Sequence, residues 1–228
     1  MISTKDIASE STGGGLPKTI KPGENVLKIN SVGLKRFPFM EADGGYYFVL
    51  NVETKPIDDF EGFLKDQNDE SLGRYEGQVG EIKTNRYFYK DGKTKSGIEV
   101  FRDEEILKQV RKISIVSTGN TKWLDSVDGK FETIEELVEA FNESGVFKGL
   151  YFKFTVAGKE YERKNGYTGY DLYLPKLTRE TVAFELEDVI TSKLLNFNES
   201  DHWIKLQSKP TESFGDSINV SSNSDFEL

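Results

Sequence analysis

Leu150-Tyr151-Phe152-Lys153-Phe154-Thr155-Val156 is the stretch that decides the fold. Leu150, Phe152, Phe154 and Val156 alternate with Tyr151, Lys153 and Thr155, the period of a strand with one buried face. Helical signals come just before it, so strands stand on both sides of the helices. Upstream, residues 26–34 follow the turn-forming Pro22-Gly23 and alternate Leu27 and Ile29 with Lys28 and Asn30. Residues 46–54 follow Gly44-Gly45 and place Tyr46, Phe48, Leu50 and Val52 on one face. Residues 81–90 and 93–101 read as a hairpin about Asp91-Gly92, a pair suited to positive φ. Downstream, residues 166–174 set Tyr170, Leu172 and Leu174 opposite Asp171 and Tyr173.

The helices lie between these sets. Asp103 is expected to cap one that turns Ile106, Leu107, Val110 and Ile113 to the core. Thr133 and Glu136 form a capping box for a second, which buries Ile134, Leu137, Val138 and Phe141 and stops at Gly145. The resulting fold class is mainly β with two helices (α+β): an OB-fold-like five-stranded Greek-key barrel, with a helical segment between its third and fourth strands. A long insertion at 56–80, a hairpin arm and the second helix are added to that plan. The domain reading is a flexible leader at 1–15, the barrel domain at 16–177, an extension packed on the barrel at 178–207 and a disordered acidic tail at 208–228. Within the extension, 181–186 alternates like a strand and 189–197 reads as a short helix.

Composition removes many function classes. With 228 residues, no Cys and a single His, His202, the chain has no disulfide, no thiolate nucleophile, no Cys zinc site and no multi-histidine metal site. No run approaches the apolar length needed to cross a bilayer, and the first residues lack the pattern of a signal peptide, so the expected location is cytoplasmic. The net charge of −9 argues against a nucleic-acid partner until its distribution is read. Residues 16–36 carry Lys18, Lys21, Lys28, Lys35 and Arg36 against Glu24, and 83–95 carry Lys83, Arg86, Lys90, Lys93 and Lys95 against Asp91. Residues 148–164 carry Lys148, Lys153, Lys159, Arg163 and Lys164 against Glu160 and Glu162. The acids concentrate elsewhere, with eleven against three bases in 41–81 and seven against one in 124–147. The basic segments are those that read as strands.

Single-strand binding needs cations that follow phosphates and flat rings on which unstacked bases lie. Residues 83–90, Lys-Thr-Asn-Arg-Tyr-Phe-Tyr-Lys, interleave both. Period 2 puts Tyr87 and Tyr89 on the outer face beside Lys83 if Ile82 and Phe88 face inward. Tyr151 and Lys153 are placed similarly, and Lys159, Tyr161, Arg163, Lys164 and Tyr167 fill the connection that follows. The expected contacts are stacking on Tyr87, Tyr89, Tyr151 and Tyr167, and phosphates on Lys83, Arg86, Lys90, Lys93, Lys153 and Lys164. The bland alternative is that tyrosines suit half-exposed strands and lysines protect edges.

No enzyme motif survives. Gly92-Lys93-Thr94 imitates the end of a phosphate-binding loop, but Tyr87 stands where the earlier glycine is required. Asp58-Asp59-Phe60-Glu61 and Asp103-Glu104-Glu105 are explained as a solvated loop and an acid-rich helix start. No cofactor and no metal are expected. The final residues, Asp225, Phe226, Glu227 and Leu228, surround one ring with carboxylates at the end of a polar segment, the form of a tail made to be captured by a partner.

The phrases Leu16-Pro17-Lys18-Thr19-Ile20-Lys21-Pro22-Gly23, Val26-Leu27-Lys28-Ile29-Asn30-Ser31, Phe37-Pro38-Phe39, Phe60-Glu61-Gly62-Phe63, residues 73–80 and Lys95-Ser96-Gly97-Ile98 resemble the single-stranded DNA-binding proteins predicted in tailed bacteriophages of the crAss-like kind. The likeness spans residues 16–117. It implies an OB-type domain that coats replication or recombination intermediates in the cytoplasm of an infected bacterium and recruits phage or host replication proteins through its acidic tail. Such tails commonly end in Phe, whereas Phe226 is followed by Glu227 and Leu228. The alternative function is a structural, virion-associated or protein-interaction module without DNA.

Overall fold

The computed structural model describes residues 20–55, 78–164, 166–176 and 181–206, and the backbone alone at 57–58 and 74–75. The fold is mainly β, built on a mixed sheet of seven strands. β1 (Gly23–Lys35) pairs antiparallel with β2 (Tyr47–Thr54), which pairs with β5 (Val79–Lys83). After the helices, β8 (Tyr151–Glu162) turns back into β9 (Thr168–Tyr173). Two pairings bend this sheet into a ring: the first half of β1 pairs with the first half of β8, and β5 meets β9 in parallel at Lys83 and Tyr173. A register shift between Ile29 and Ser31 lets β1 curve from one partner to the other.

Ring closure follows from the pattern of apolar residues. Leu27, Phe48, Leu50, Ile82, Phe152 and Phe154 are wholly buried and point to one interior. Each such side chain contributes about 1.5–3 kcal/mol relative to exposure. Two short strands extend the sheet along β8: β10 (Phe184–Leu186), antiparallel, and β11 (Trp203–Ile204), parallel. β10 brings Phe184 against Phe154, with ring centroids 5.2 Å apart. Residues 57–58 (β3) and 74–75 (β4) form a small separate pair inside the insertion.

Three helices lie between β5 and β8: α1 (Arg102–Thr118), α2 (Lys122–Val127) and α3 (Ile134–Glu143). The Thr133 hydroxyl accepts from Glu136 N–H at 3.3 Å, the expected cap, but Glu136 Oε2 reaches Glu132 N–H instead of Thr133. A four-residue helix, α4 (Glu199–His202), leads into β11. Among the described residues no helix is long and apolar enough to cross a membrane.

Several expectations are corrected. The hairpin about Asp91-Gly92 is instead a small arm, β6 (Gly92–Lys93) with β7 (Glu99–Val100), and it turns at Thr94–Gly97, where Gly97 has φ +82°. Asp91 serves another purpose: its Oδ1 accepts from Arg102 N–H at 2.8 Å, so the helix begins at Arg102 without an Asp103 cap. Leu107 is 40 % exposed, because only Ile106, Val110 and Ile113 fall on the face toward the sheet. α2 was not expected from the sequence, and 189–197 forms no helix, its chain being held by a bridge from Val182 to Leu194.

Candidate nucleic-acid interface

The site is built where β1, β2 and β5 present their outer faces. Past β1 the chain makes one 3₁₀ turn at Pro38–Met40, buries Met40 and leaves Phe37 and Phe39 outside. Their rings stack at 5.7 Å between centroids, only 8° from parallel. Tyr47 stands edge-on to Phe37 at 6.0 Å, and Phe88 edge-on to both Tyr47 and Phe39. Gly45 permits the last of these, since a Cβ there would collide with the Phe88 ring. The result is a four-ring platform whose outermost member, Phe39, is 69 % exposed.

Cations flank the rings. Lys83 Nζ lies 4.1 Å from the Tyr47 centroid, Lys35 Nζ 5.3 Å from Phe37 and Lys90 Nζ 5.6 Å from Phe88. Beyond Lys35 and Lys83 a groove of about 640 Å³ opens between β5, the start of β9 and the end of β8. Lys159, Tyr161, Arg163 and Tyr170 line its far side. Tyr161 crosses Gly169, its register partner on β9, where any Cβ would meet the ring.

The groove is partly neutralised by its own carboxylates. Lys35 is paired with Glu81 at 2.8 Å and Lys83 with Asp171 at 2.6 Å. Lys35–Glu81 is open to solvent on both sides, the kind of pair worth about 0–1 kcal/mol, whereas the Lys83 side chain is only 13 % exposed and its pair with Asp171 is less screened by water. Lys159 and Arg163 make no ion pair among the described residues.

The sequence-predicted residues divide. Lys83 and Lys90 belong to the platform, although Lys90 is also 3.1 Å from Asp43. Lys164 and Tyr167 sit on the β8–β9 turn beside Arg163, whose N–H donates to the Tyr167 carbonyl at 2.8 Å. Arg86 and Tyr87 line a second groove, at the bend that follows Lys83. Lys93 is on the hairpin arm, paired with Glu99. Tyr151 and Lys153 lie on the half of β8 that pairs with β1, with Lys55 5.1 Å over the Tyr151 ring. Asp225, Phe226, Glu227 and Leu228, like Phe60 and its neighbours, lie outside the described residues.

Tyr89 is a correction. It is 7 % exposed, its hydroxyl 3.1 Å from Thr84 Oγ1, and burial pushes its pKa up to about 12. β5 ends at Lys83 and the chain bends through 84–87, so the alternation slips by one and Phe88 takes the outer place expected of Tyr89. Reasoning from sequence missed Phe37, Phe39, Tyr47 and Phe88 as ring surfaces. The signal present was the dense aromatic spacing in Phe37-Pro38-Phe39 and Tyr46-Tyr47-Phe48 beside Lys35-Arg36. Compared with known proteins, the chain matches no family model, no curated protein and no solved structure.

Proposed function

We propose that this chain is a non-enzymatic single-stranded DNA-binding protein with little sequence preference, of the phage type its phrases resemble, and that its ring of strands is an OB-type barrel. The observation that carries the reading is the four-ring platform Phe37, Phe39, Tyr47 and Phe88 with the Lys83 and Lys90 ammonium groups over two of its rings. Bases stack on such rings whatever their identity, and the cations track the backbone.

Supporting the barrel reading, the ring runs β1-β2-β5-β9-β8 and back to β1, with the helices between its third and fourth strands in chain order. OB-type barrels bind oligonucleotides on strands two and three and on the loops after strands one and four. Those elements here are β2, β5, the Phe37–Phe39 turn and the Arg163–Tyr167 turn. Recruitment of replication proteins by the acidic tail completes the proposal.

The test is a titration of labelled oligo-dT at about 50 mM and about 200 mM salt. Tight binding that falls steeply with salt is expected. Absence of binding, or a protein interface that responds weakly to salt, overturns the reading.

A further inference from the structure

The second groove, of about 700 Å³, lies between the bend at 84–87, the end of β9 and α1. Arg86, Tyr87, Lys112, Tyr173 and Lys176 come together there from segments far apart in the chain. Its charge is arranged differently from that of the first groove. The two carboxylates in its lining are engaged: Glu105 by Lys108, and Asp201 by Asn198 Nδ2 at 2.9 Å. Arg86, Lys112 and Lys176 make no ion pair among the described residues. Lys112 is half-buried with the Phe184 ring 5.6 Å away, and burial lowers its pKa. A cation drawn from water without a counter-ion is destabilised, and an entering anion reverses that.

A ring stands beside these charges. Tyr87 is 67 % exposed, and the Arg86 guanidinium lies 5.6 Å from its centroid and 5.9 Å from that of Tyr173. A flat exposed ring next to uncompensated cations suits a phosphate joined to a base. The two grooves also adjoin: Lys83, at the edge of the first, is the register partner of Tyr173 in the second.

We infer that a single strand seated on the aromatic platform crosses the β5–β9 seam into this second groove, where Arg86, Lys112 and Lys176 take its phosphates and Tyr87 takes a base. The inference rests on the proposed function and extends the footprint of one molecule beyond the platform.

The test compares oligo-dT of about 5 and about 15 nucleotides on the full chain and on R86A/K176A, both sites exposed so that folding is preserved, with K112M as an independent variant. The longer strand is expected to bind the unaltered protein about tenfold tighter than the shorter, beyond the statistical gain from extra registers. Both variants should lose most of that gain and keep the affinity for the short strand. A length gain that survives in R86A/K176A overturns the inference while leaving the platform reading intact, and no binding of either strand defeats both. Saturable dTTP binding that R86A/K176A abolishes, with no length gain, assigns the groove to free nucleotides and also overturns it.

Discussion

Asn142 on α3 completes the hydrogen bonding of Val32 on β1: its Oδ1 accepts from Val32 N–H and its Nδ2 donates to the Val32 carbonyl, each at 2.7 Å. β8 pairs with β1 only as far as Lys28, so the far half of β1 would otherwise have one unpaired side. An amide side chain supplies both halves of a ladder contact and anchors the helices to the barrel. Asn142→Ala is expected to destabilise the fold by about 1–3 kcal/mol, the loss of two partly buried bonds. Asn142→Asp should be no better, since its second oxygen would face the Val32 carbonyl. Urea unfolding followed by the fluorescence of Trp123 and Trp203 together checks both, and wild-type stability in either variant refutes the anchor.

The platform predicts a separation of binding from stability. Phe39→Ala should weaken oligo-dT binding by about 1–3 kcal/mol if the ring stacks a base, with little change in unfolding because that ring is 69 % exposed. Phe88→Ala should cost both, since Phe88 also fills the space over Gly45. Fluorescence anisotropy and thermal unfolding on the same samples decide; unchanged affinity in Phe39→Ala removes that ring from the interface.

Asp171 restrains Lys83, so its neutralisation should help binding. Asp171→Asn leaves Lys83 free for phosphate and should tighten oligo-dT binding a few-fold at low salt. The salt slope should steepen by about 0.7 if one more counterion is released. Equal affinity and slope in wild type and variant would show that Lys83 makes no phosphate contact.

Tyr89 gives the fold an alkaline limit. Burial holds its folded pKa at about 12, whereas the unfolded residue titrates near 10. The folded state therefore favours the neutral phenol, and this stability is full below about pH 10 and lost as pH rises toward about 12, by roughly 3 kcal/mol. Thr84 Oγ1 is also 2.9 Å from the Phe48 carbonyl, which can only accept, so the Thr84 proton goes there and Tyr89 donates to Thr84. Tyr89→Phe should cost about 1 kcal/mol near neutral pH and then lose less stability than wild type above pH of about 10. Parallel denaturation curves across that range would contradict the burial effect.

How far the sequence reached can be followed along β8. The alternation of Phe152 and Phe154 with Tyr151 and Lys153 is local, so strand and buried face were both readable, as was the Thr133 cap of α3. The same rule failed at 84–90, because alternation carries across a segment only while the chain stays extended. The bend after Lys83 goes with contacts to a distant segment, Thr84 donating to the Phe48 carbonyl and Tyr89 pairing with Tyr46. The basic and aromatic composition of residues 83–90 was likewise visible, but the grouping of Phe37, Phe39, Tyr47 and Phe88 was not.

The sequence by itself determined the order of the five ring strands and of α1 and α3, the identity of most of the core and the gathering of cations into three segments, since each depends on short-range period and composition. Only the tertiary structure decided that β5 meets β9 in parallel, that Phe37 and Phe39 come to lie with Tyr47 and Phe88, and which lysines are neutralised. Those relations join segments tens of residues apart, and long-range pairing is set by how buried faces close on one another, which no local pattern encodes.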